Sequence, residues 1–362
     1  MVGVRRAALA AAAVAALLLL LARLPPLPPP PRLRPPRPAP LAPPSSTPAA
    51  ASARPSSTPP PAPPAAPLPP SPRSAPPPAR PPPPSGVVLT RQLYVAGHER
   101  AHPELCPALG ARVRLLILVT SAPAHRSARD AIRLTWGHFG RRADVALAFV
   151  LGAPPAALRP QLDAEDALYG DLVVGRSVDS YSNMTLKTLS MLEWADTYCP
   201  RAPRLLKTDD DMFINVPRLL AFAAAPARAN ASRTVWGKVI RRSLPKRTPR
   251  SKYFVPEAQF PGRVFPDFAT GPAYLLTADA ARALLAAAGA ERYVRLEDVF
   301  VTGILAARLG VRRSHAPQFV NKKLAPQPCA VQRAISIHMV RYHEQFDLWR
   351  KLLDGRAKCD DR

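Results

Sequence analysis

Prolines crowd one stretch of this chain and so decide where it can fold. Most of the 49 prolines lie between Pro25 and Pro84, among Ala, Ser, Thr and scattered Arg. Such a segment has too few bulky apolar side chains to build a packed core. We expect a disordered stem that is semi-extended where prolines cluster. Folding therefore concerns the chain from about Gly86 onward, which has the size of one α/β domain.

An apolar run precedes the prolines. Arg5 and Arg6 come before a stretch from Ala7 to Ala22 that has no charge. Basic residues on this side predict an uncleaved signal anchor with a cytosolic N-terminus. A cleaved signal peptide is the alternative, because the run is short for a membrane span. The predicted order is a cytosolic tail (1–6), a transmembrane anchor (7–24), a Pro-rich stem (25–86) and a folded lumenal domain (87–362).

Two features agree with a lumenal position for the folded part. Asn183 and Asn230 each begin an Asn-x-Ser/Thr sequon and are predicted glycosylation sites. In an oxidising compartment the four cysteines would form two disulfides, and the sequence leaves all three pairings open: Cys106, Cys199, Cys329 and Cys359.

The formal charge of +25 does not predict a nucleic-acid partner. Residues 1–90 hold nine arginines and no acidic residue, so part of the excess lies before the folded domain. The sequence contains no RNP signature, zinc finger or aromatic-rich basic strand. The excess favours anionic partners such as a nucleotide diphosphate or a membrane surface. The basic run 238–252 is either a solvated loop or a loop that faces the substrate.

Strand and helix patterns alternate along the folded part, which is typical of an α/β domain with a mostly parallel mixed sheet. Apolar runs predict strands at 113–119, 145–151, 171–174 and 204–207. Helical periodicity predicts helices at 127–136, 185–199, 278–288 and 299–309. Ser127 and Asp130 have the spacing of a capping box at the start of the first helix.

Three consecutive carboxylates, Asp209, Asp210 and Asp211, follow one of these strands directly. Adjacent carboxylates repel one another unless a cation or solvent relieves them. Ligands bind at the carboxyl ends of strands in open α/β sheets. The triplet therefore predicts a hard metal ion that carries a phosphorylated ligand, with a solvated acidic turn as the alternative. A second acidic pair, Glu297–Asp298, precedes a predicted helix, where the helix dipole alone would favour it.

Five motifs stand in the order found in one enzyme family: 129–137, 183–188, 207–213, 268–274 and 296–300. Over about residues 115–349 the chain resembles the β-1,3-galactosyltransferase and β-1,3-N-acetylglucosaminyltransferase family. The resemblance implies a GT-A-like (Rossmann-like) fold in a type II Golgi membrane protein. It also implies a UDP-sugar donor, Mn²⁺ and inversion at the anomeric carbon.

The same resemblance implies roles for individual residues. Asp298 would be the catalytic base that takes the proton from the 3-hydroxyl of the acceptor. Asp211 and His338 would ligate Mn²⁺, which suits a carboxylate and an imidazole. The donor side would be lined by residues at matching motif positions, of which the tryptophan could equally belong to the core: Arg129, Trp136, Lys187, Asp209, Asp210 and Gly271.

The expected activity is transfer of galactose from UDP-galactose in β-1,3 linkage onto a glycan of a glycoprotein or glycolipid. Residues 237–239 and 251–255 are closer in type to galactosyltransferase members, but UDP-N-acetylglucosamine remains an alternative donor. A non-catalytic nucleotide-sugar or glycan-binding protein is the alternative from another class. The chain departs from many relatives in having Ile304 and Leu305 where they carry a cysteine after the Glu–Asp pair, which leaves the partner of Cys329 open.

Overall fold

A computed structural model describes residues 86–359 of the chain. The predicted cytosolic tail (1–6), the anchor (7–24) and all but the last residue of the stem (25–86) lie outside the described residues. Within residues 86–359, none of the helices combines the length and apolar character that crossing a membrane requires.

The described part contains strands that form two sheets. In chain order they are β1 (His98–Arg100), β2 (Leu115–Thr120), β3 (Val145–Ala153), β4 (Leu172–Val178), β5 (Arg204–Asp209), β6 (Phe213–Ile214), β7 (Thr234–Ile240), β8 (Phe268–Thr277), β9 (Arg312–His315), β10 (Phe319–Val320) and β11 (Ser336–Ile337).

Helices separate most of these strands. The α-helices are α1 (Pro107–Gly110), α2 (Arg126–Leu134), α3 (Arg159–Tyr169), α4 (Met184–Tyr198), α5 (Val216–Ala224), α6 (Pro226–Ala229), α7 (Ala278–Ala288), α8 (Ala306–Arg308), α9 (Pro328–Arg333) and α10 (Glu344–Leu352). Short 3₁₀ turns occur at Thr90–Gln92, Pro103–Leu105, Trp136–Arg141, Ala156–Leu158 and Tyr181–Asn183, and a π-helix at Val299–Leu305.

The larger sheet has the strand order β1-β4-β3-β2-β5-β8-β7-β9. Strands β4, β3, β2 and β5 are parallel neighbours, β7 and β9 are also parallel, and the remaining pairs are antiparallel. The predicted mostly parallel mixed sheet is confirmed. In the register of the two central strands, Thr120 lies beside Asp209, so both carboxyl ends meet where the Asp triplet begins.

The smaller sheet has the order β10-β11-β6 and lies next to the triplet in sequence, because β6 starts two residues after Asp211. Strands β10 and β11 are parallel, with Val320 beside Ile337. Strand β11 is antiparallel to β6, with Ile337 beside Phe213. The residues that follow β10 and β11 therefore come close to the turn that holds the triplet.

Apolar side chains cover both faces of the larger sheet. Leu116 and Leu118 of β2 pack with α4, α7 and the π-helix, whereas Leu115, Ile117 and Val119 pack with α2 and the smaller sheet. This alternation follows from the two-residue period of a strand. A strand that is apolar on both faces is fixed between two helical layers, so its carboxyl end is held rigidly.

Two disulfides settle the pairing that the sequence left open. Cys106 pairs with Cys199, and Cys329 pairs with Cys359 near the C-terminal end of the described chain. The first links the segment before β2 to the end of α4, and the second links α9 to the residues after α10. Disulfides are typical of proteins that mature in an oxidising compartment.

Two predicted helices differ from the observed ones. The capping box at Ser127 and Asp130 is wrong, because His125 is the N-cap residue and Ser127 already lies inside α2. The segment predicted as one helix over 299–309 begins as a π-helix at Val299–Leu305 and only then becomes α8. Within the π-helix every residue except Ile304 is buried, so the apolar pattern of the segment carried no information about the helix type.

Candidate active site

The three carboxylates of the triplet point to three different sets of partners. Asp209 is the last residue of β5, and its Oδ1 accepts hydrogen bonds from Thr120 Oγ1 at 2.6 Å and from Lys207 Nζ at 2.5 Å. Asp210 Oδ2 accepts a hydrogen bond from Ser121 Oγ at 2.7 Å. The repulsion expected between adjacent carboxylates is thus relieved by separate donors.

Asp210 has a second hydrogen-bond partner, His125. His125 Nδ1 lies 2.9 Å from Asp210 Oδ2, and this hydrogen bond raises the pKa of His125 above its usual value. His125 is the N-cap residue of α2, and neither His125 nor Asp210 lines the cavity described below. Asp210 is therefore placed with the β2 end of the site, apart from the other two aspartates.

Asp211 meets the residue that follows strand β11. The Nε2 atom of His338 lies 3.3 Å from Asp211 Oδ2, and the backbone N–H of Val340 donates to the carbonyl of Asp211 at 2.9 Å. Met339, between them, has a φ of 63°, a left-handed conformation that is uncommon for a side chain of this kind. The turn at 338–340 is thus tied to the triplet, and the structure brings the two predicted metal ligands together.

Asn321 follows β10 and stands beside His338, because β10 and β11 run in parallel register. Its side-chain Oδ1 is buried and has no hydrogen-bond partner among the described residues. Buried polar atoms without a partner are rare in native proteins and usually mark a place for water, an ion or a ligand. No local sequence pattern points to Asn321, since the strand pairing alone brings it to the site.

The pair Glu297–Asp298 lies on another side of the same cavity, at the start of the π-helix. Asp298 accepts hydrogen bonds from the N–H of Val299 at 2.9 Å and from the N–H of Gly271 at 3.1 Å. Burial raises the pKa of Asp298 above its usual value. Gly271 permits this approach, because a Cβ at that position would lie 3.2 Å from Glu297 Oε2.

Glu297 belongs to a buried polar network behind Asp298. Its Oε1 accepts a hydrogen bond of 2.6 Å from the hydroxyl of Tyr274, and burial raises its pKa to about 7. Lys207, which is 1% exposed, lies 3.9 Å from Glu297 Oε2 and donates to the carbonyl of Gly271 at 2.7 Å and to Asp209. Lys207 therefore connects the triplet to the Glu297–Asp298 pair.

The pKa of Lys207 reflects this position. Burial alone would lower it, but the negative charges of Asp209 and Glu297 raise it above its usual value. Lys207 is thus a fixed cation between two acidic groups, and its removal would leave both uncompensated. Lys207 and Tyr274 each lie within a family motif, but the motifs predicted no role for either residue.

These groups open onto one cavity of about 590 Å³, within the range of known small-molecule sites. Its polar side chains fall into an acidic group near the two sheets and a basic group at its mouth. The acidic group and its neighbours comprise Lys207, Asp209, Asp211, Gly271, Glu297, Asp298, Asn321 and His338. The basic group comprises Lys246, Lys252 and Arg295, with Tyr181 and Tyr253 beside them.

Asp211 and His338 can hold a divalent cation with few protein ligands. Their facing oxygen and nitrogen atoms are 3.3 Å apart, and both residues line the cavity. Over residues 86–359 no cluster of three or more His, Cys, Asp or Glu side chains is arranged to hold a metal. Ions such as Mn²⁺ accept mixed carboxylate and imidazole ligands and complete their shell with phosphate oxygens and water. The donor set therefore fits an ion that binds together with a diphosphate.

Besides Asp210, three predicted donor-side residues do not line the cavity. Arg129 is fully buried and makes hydrogen bonds with Glu165 and with the chain at 121–123. Lys187, 5% exposed, donates to the carbonyl of Ser121 at 2.9 Å and pairs with Asp179 at 2.6 Å. These two residues hold the end of β2 from behind, and a direct contact with a donor stays a prediction.

Trp136 is also fully buried, which agrees with the alternative that it belongs to the core. Its Nε1–H points to the carbonyl of Met212 and to Gln345 Oε1, each at 3.2 Å. Met212 directly follows Asp211, so Trp136 packs behind the turn that carries the triplet. A contact between Trp136 and a ligand remains a prediction.

The two sequons lie in different surroundings. Asn230 is exposed at the end of α6. Asn183 donates its side-chain N–H to the carbonyl of Val178 at 3.0 Å, and Thr185 of the same sequon is fully buried, with its hydroxyl donating to the carbonyl of Val294. Glycosylation at both asparagines remains a prediction.

Comparison with known proteins gives matches over most of the described chain. The model of the Galactosyltransferase family matches residues 127–317. Beta-1,3-galactosyltransferase 4 of Rattus norvegicus is 33% identical over 287 residues, which cover 70% of this chain and 77% of that protein. Beta-1,3-galactosyltransferase 1 of Homo sapiens is 33% identical over 239 residues, which cover 65% and 72%.

A solved structure, galactosyltransferase LgtC in complex with donor and acceptor sugar analogs, has a TM-score of 0.34 and 9% identity. The match covers 66% of this chain and 96% of that one. A likeness of this size supports no conclusion about the site.

Proposed function

Because this chain belongs to the galactosyltransferase family, we propose that it is an inverting enzyme that moves galactose from UDP-galactose onto the 3-hydroxyl of a glycan acceptor in a GT-A-like domain. The observation that carries this proposal is one cavity with two chemically distinct poles. Asp211 and His338 form a pole that suits a cation and a diphosphate, and Asp298 forms a carboxylate pole that suits proton removal. The first would neutralise the leaving diphosphate, and the second would take the proton of the acceptor hydroxyl.

Asp211 and His338 would hold Mn²⁺, with Asn321 beside them as a further oxygen donor. Mn²⁺, when bound, supplies the charge that neutralises the leaving diphosphate. On the protein side, Lys207 keeps Asp209 and the Glu297–Asp298 pair in fixed positions. Groups that are already in place pay no reorganisation cost when charge develops.

Asp298 would act as the general base. Its two oxygens each accept one backbone N–H, so each keeps a lone pair for the acceptor hydroxyl. The raised pKa of Asp298, caused by burial, makes it a better proton acceptor than a solvated carboxylate. The acceptor oxygen then attacks the anomeric carbon from the face opposite UDP as its proton passes to Asp298. One displacement with one base inverts the configuration.

We further propose a Golgi lumenal position, with the chain anchored as a single-pass type II membrane protein. The support is the uncharged run after Arg5 and Arg6, together with the two disulfides of the folded part. Protease protection of microsomes that contain the full-length chain tests this arrangement. Digestion of the folded domain in intact vesicles would contradict it.

UDP release by the purified full-length protein tests the proposed activity. UDP-galactose and UDP-N-acetylglucosamine are compared with Mn²⁺ against acceptors that end in N-acetylglucosamine, N-acetylgalactosamine or galactose. We expect acceptor-dependent release from UDP-galactose that is lost in Asp211→Asn. Asp196→Asn is the matched control, because Asp196 pairs with Arg282 away from the cavity.

The other outcomes of this assay are equally informative. Release from UDP-N-acetylglucosamine alone would support the transferase activity but identify UDP-N-acetylglucosamine, instead of UDP-galactose, as the donor. Tight UDP binding, without UDP release from any donor and acceptor pair, would contradict catalysis. It would favour the alternative of a non-catalytic nucleotide-sugar-binding protein.

A further inference from the structure

Three cationic side chains line the mouth of the cavity. Lys246 and Lys252 come from the loop at 241–267 between β7 and β8, and Arg295 precedes the Glu297–Asp298 pair. Within the described part of the chain, none of the three forms an ion pair with an acidic side chain. We call Lys246, Lys252 and Arg295 the basic mouth.

Arg295 is the best anchored of the three. One of its terminal nitrogens lies 3.4 Å from the carbonyl of Lys252, and its guanidinium stands 5.9 Å from the centre of the Tyr181 ring. Its Nε is buried without a hydrogen-bond partner among the described residues. A buried guanidinium N–H without a partner is costly, and a bound anion would satisfy it.

The rest of the loop does not neutralise the basic mouth. Residues 241–267 contain seven Lys or Arg and two acidic residues. Of the two acids, Asp267 lies 3.6 Å from Arg241, and Glu257 forms no ion pair with a described residue. Arg247 is occupied by the carbonyls of the loop itself. The excess positive charge therefore remains available at the entrance, where it attracts anions.

The basic mouth lies on the Asp298 side of the cavity. Tyr181, Lys252, Arg295 and Asp298 line the same cavity, and the Arg295 guanidinium lies 5.9 Å from the centre of the Tyr181 ring. Arg295 is three residues before Asp298 in the chain. In the proposed reaction the diphosphate is held at Asp211 and His338, whereas the acceptor hydroxyl must reach Asp298. An anionic group at the basic mouth would therefore belong to the acceptor rather than to the donor.

Two exposed tyrosines give the same entrance a surface for sugar rings. Tyr181 is 53% exposed and Tyr253 is 48% exposed, and the Lys252 ammonium lies 4.8 Å from the centre of the Tyr253 ring. Exposed aromatic rings combine apolar faces with a polar edge, which suits the mixed faces of a sugar. Cation–π contact holds the lysine close to that surface.

We infer that the acceptor is an anionic glycan, which carries a carboxylate or a sulfate close to the sugar that receives the new residue. The inference rests on the proposed transferase activity and specifies its acceptor class. The anion is bound by Lys252 and Arg295, with Lys246 adding to the local field, while neighbouring sugar rings contact Tyr181 and Tyr253. A charge-assisted hydrogen bond in such a place corresponds to roughly tenfold in affinity or more.

The test compares three versions of one acceptor with the full-length protein, UDP-galactose and Mn²⁺. Each version is a disaccharide that ends in N-acetylglucosamine. The first is neutral, the second carries a 6-sulfate on the N-acetylglucosamine, and the third has glucuronic acid as its second sugar. We expect at least one anionic version to have a kcat/KM about tenfold above the neutral version at low salt. The advantage should shrink in 0.5 M NaCl, because salt screens partly exposed charges.

Variants of the basic mouth identify its residues. In Lys252→Gln and Arg295→Gln the ratio of anionic to neutral kcat/KM should fall roughly tenfold. Arg263→Gln is the matched control, because Arg263 is exposed on the same loop and does not line the cavity. Titration calorimetry with UDP and Mn²⁺ present measures the affinity for the same three disaccharides, so it tests the inference even if no turnover occurs.

The outcomes separate this inference from the proposed function. No UDP release with any acceptor contradicts the transferase proposal. Equal turnover and equal binding of neutral and anionic versions overturn the inference alone. A loss of UDP affinity in Lys252→Gln, with an unchanged acceptor ratio, would assign the basic mouth to the donor phosphates and overturn it as well.

Discussion

Arg129 can serve the site by contacting the donor or by holding the chain behind it, and Arg129→Met separates these two interpretations. The fully buried guanidinium donates two hydrogen bonds of 2.7 Å to the carboxylate of Glu165. Three further hydrogen bonds go to Ser121 Oγ and to the carbonyls of Ala122 and Pro123. All five N–H groups of the side chain thus have partners, none of which lines the cavity, so the structure favours the second interpretation.

The expected cost follows from the buried ion pair. Removing one partner leaves the other charge uncompensated, which costs about 3–5 kcal/mol. Glu165 keeps a second guanidinium, that of Arg133 at 2.8 Å, so we expect the lower end of this range, ~3 kcal/mol. In domains of this size each 1 kcal/mol lowers Tm by about 2–4 °C, which predicts a fall of ~6–12 °C.

Scanning calorimetry of the full-length protein measures Tm, and titration calorimetry at 20 °C measures the affinity for UDP with Mn²⁺. Arg126→Met on the same helix is the control, because its ion pair with Asp130 is exposed and contributes less than ~1 kcal/mol. The reasoning is refuted if Arg129→Met unfolds within about 2 °C of the wild type while UDP affinity falls tenfold or more. That result would assign Arg129 to the donor, as the family resemblance implies.

Much of the fold could be predicted because the central strands are buried on both faces. The apolar run before the triplet predicts a parallel strand at 204–207, and β5 occupies Arg204–Asp209. Asp209 is thus part of the strand, since its pairing with Thr120 extends the ladder into the triplet. The helix α2 begins within one residue of its predicted start, but its capping box was predicted wrongly, because such a box depends on side-chain geometry that spacing alone does not determine.

The site could be predicted only where its residues are close in sequence or belong to a motif. Asp211 and His338 come together because β6 and β11 pair across the smaller sheet. Only the family resemblance, not a local pattern, pointed to His338. Asn321 and Arg295 were missed for the same reason, whereas Lys246 and Lys252 belong to the basic run for which a loop that faces the substrate was one of the two expectations. The burial of Trp136 also needed the structure, since an indole in a motif fits a core and a ligand site equally well.

The cavity residues give three further predictions. Asp298→Asn should lower kcat by about 10²–10⁴ with UDP affinity unchanged, because only proton removal is lost; wild-type-like transfer in a steady-state assay would exclude Asp298 as the base. His338→Ala should weaken Mn²⁺ binding, measured by electron paramagnetic resonance with UDP present, by at least about tenfold, and an unchanged signal would remove His338 from the metal site. Burial raises the pKa of Glu297 to about 7, against 4.5 for an exposed carboxyl. The folded protein therefore holds this proton more tightly than the unfolded chain, so the stability it contributes is complete below pH 4.5 and is lost as pH rises through about 7. That difference corresponds to ~3 kcal/mol, so Glu297→Gln, which cannot ionise, should gain up to ~3 kcal/mol relative to the wild type between about pH 5 and 8 in urea unfolding. A difference between the two proteins that does not change with pH would mean that Glu297 is already ionised in the folded state, with Lys207 and Tyr274 outweighing its burial.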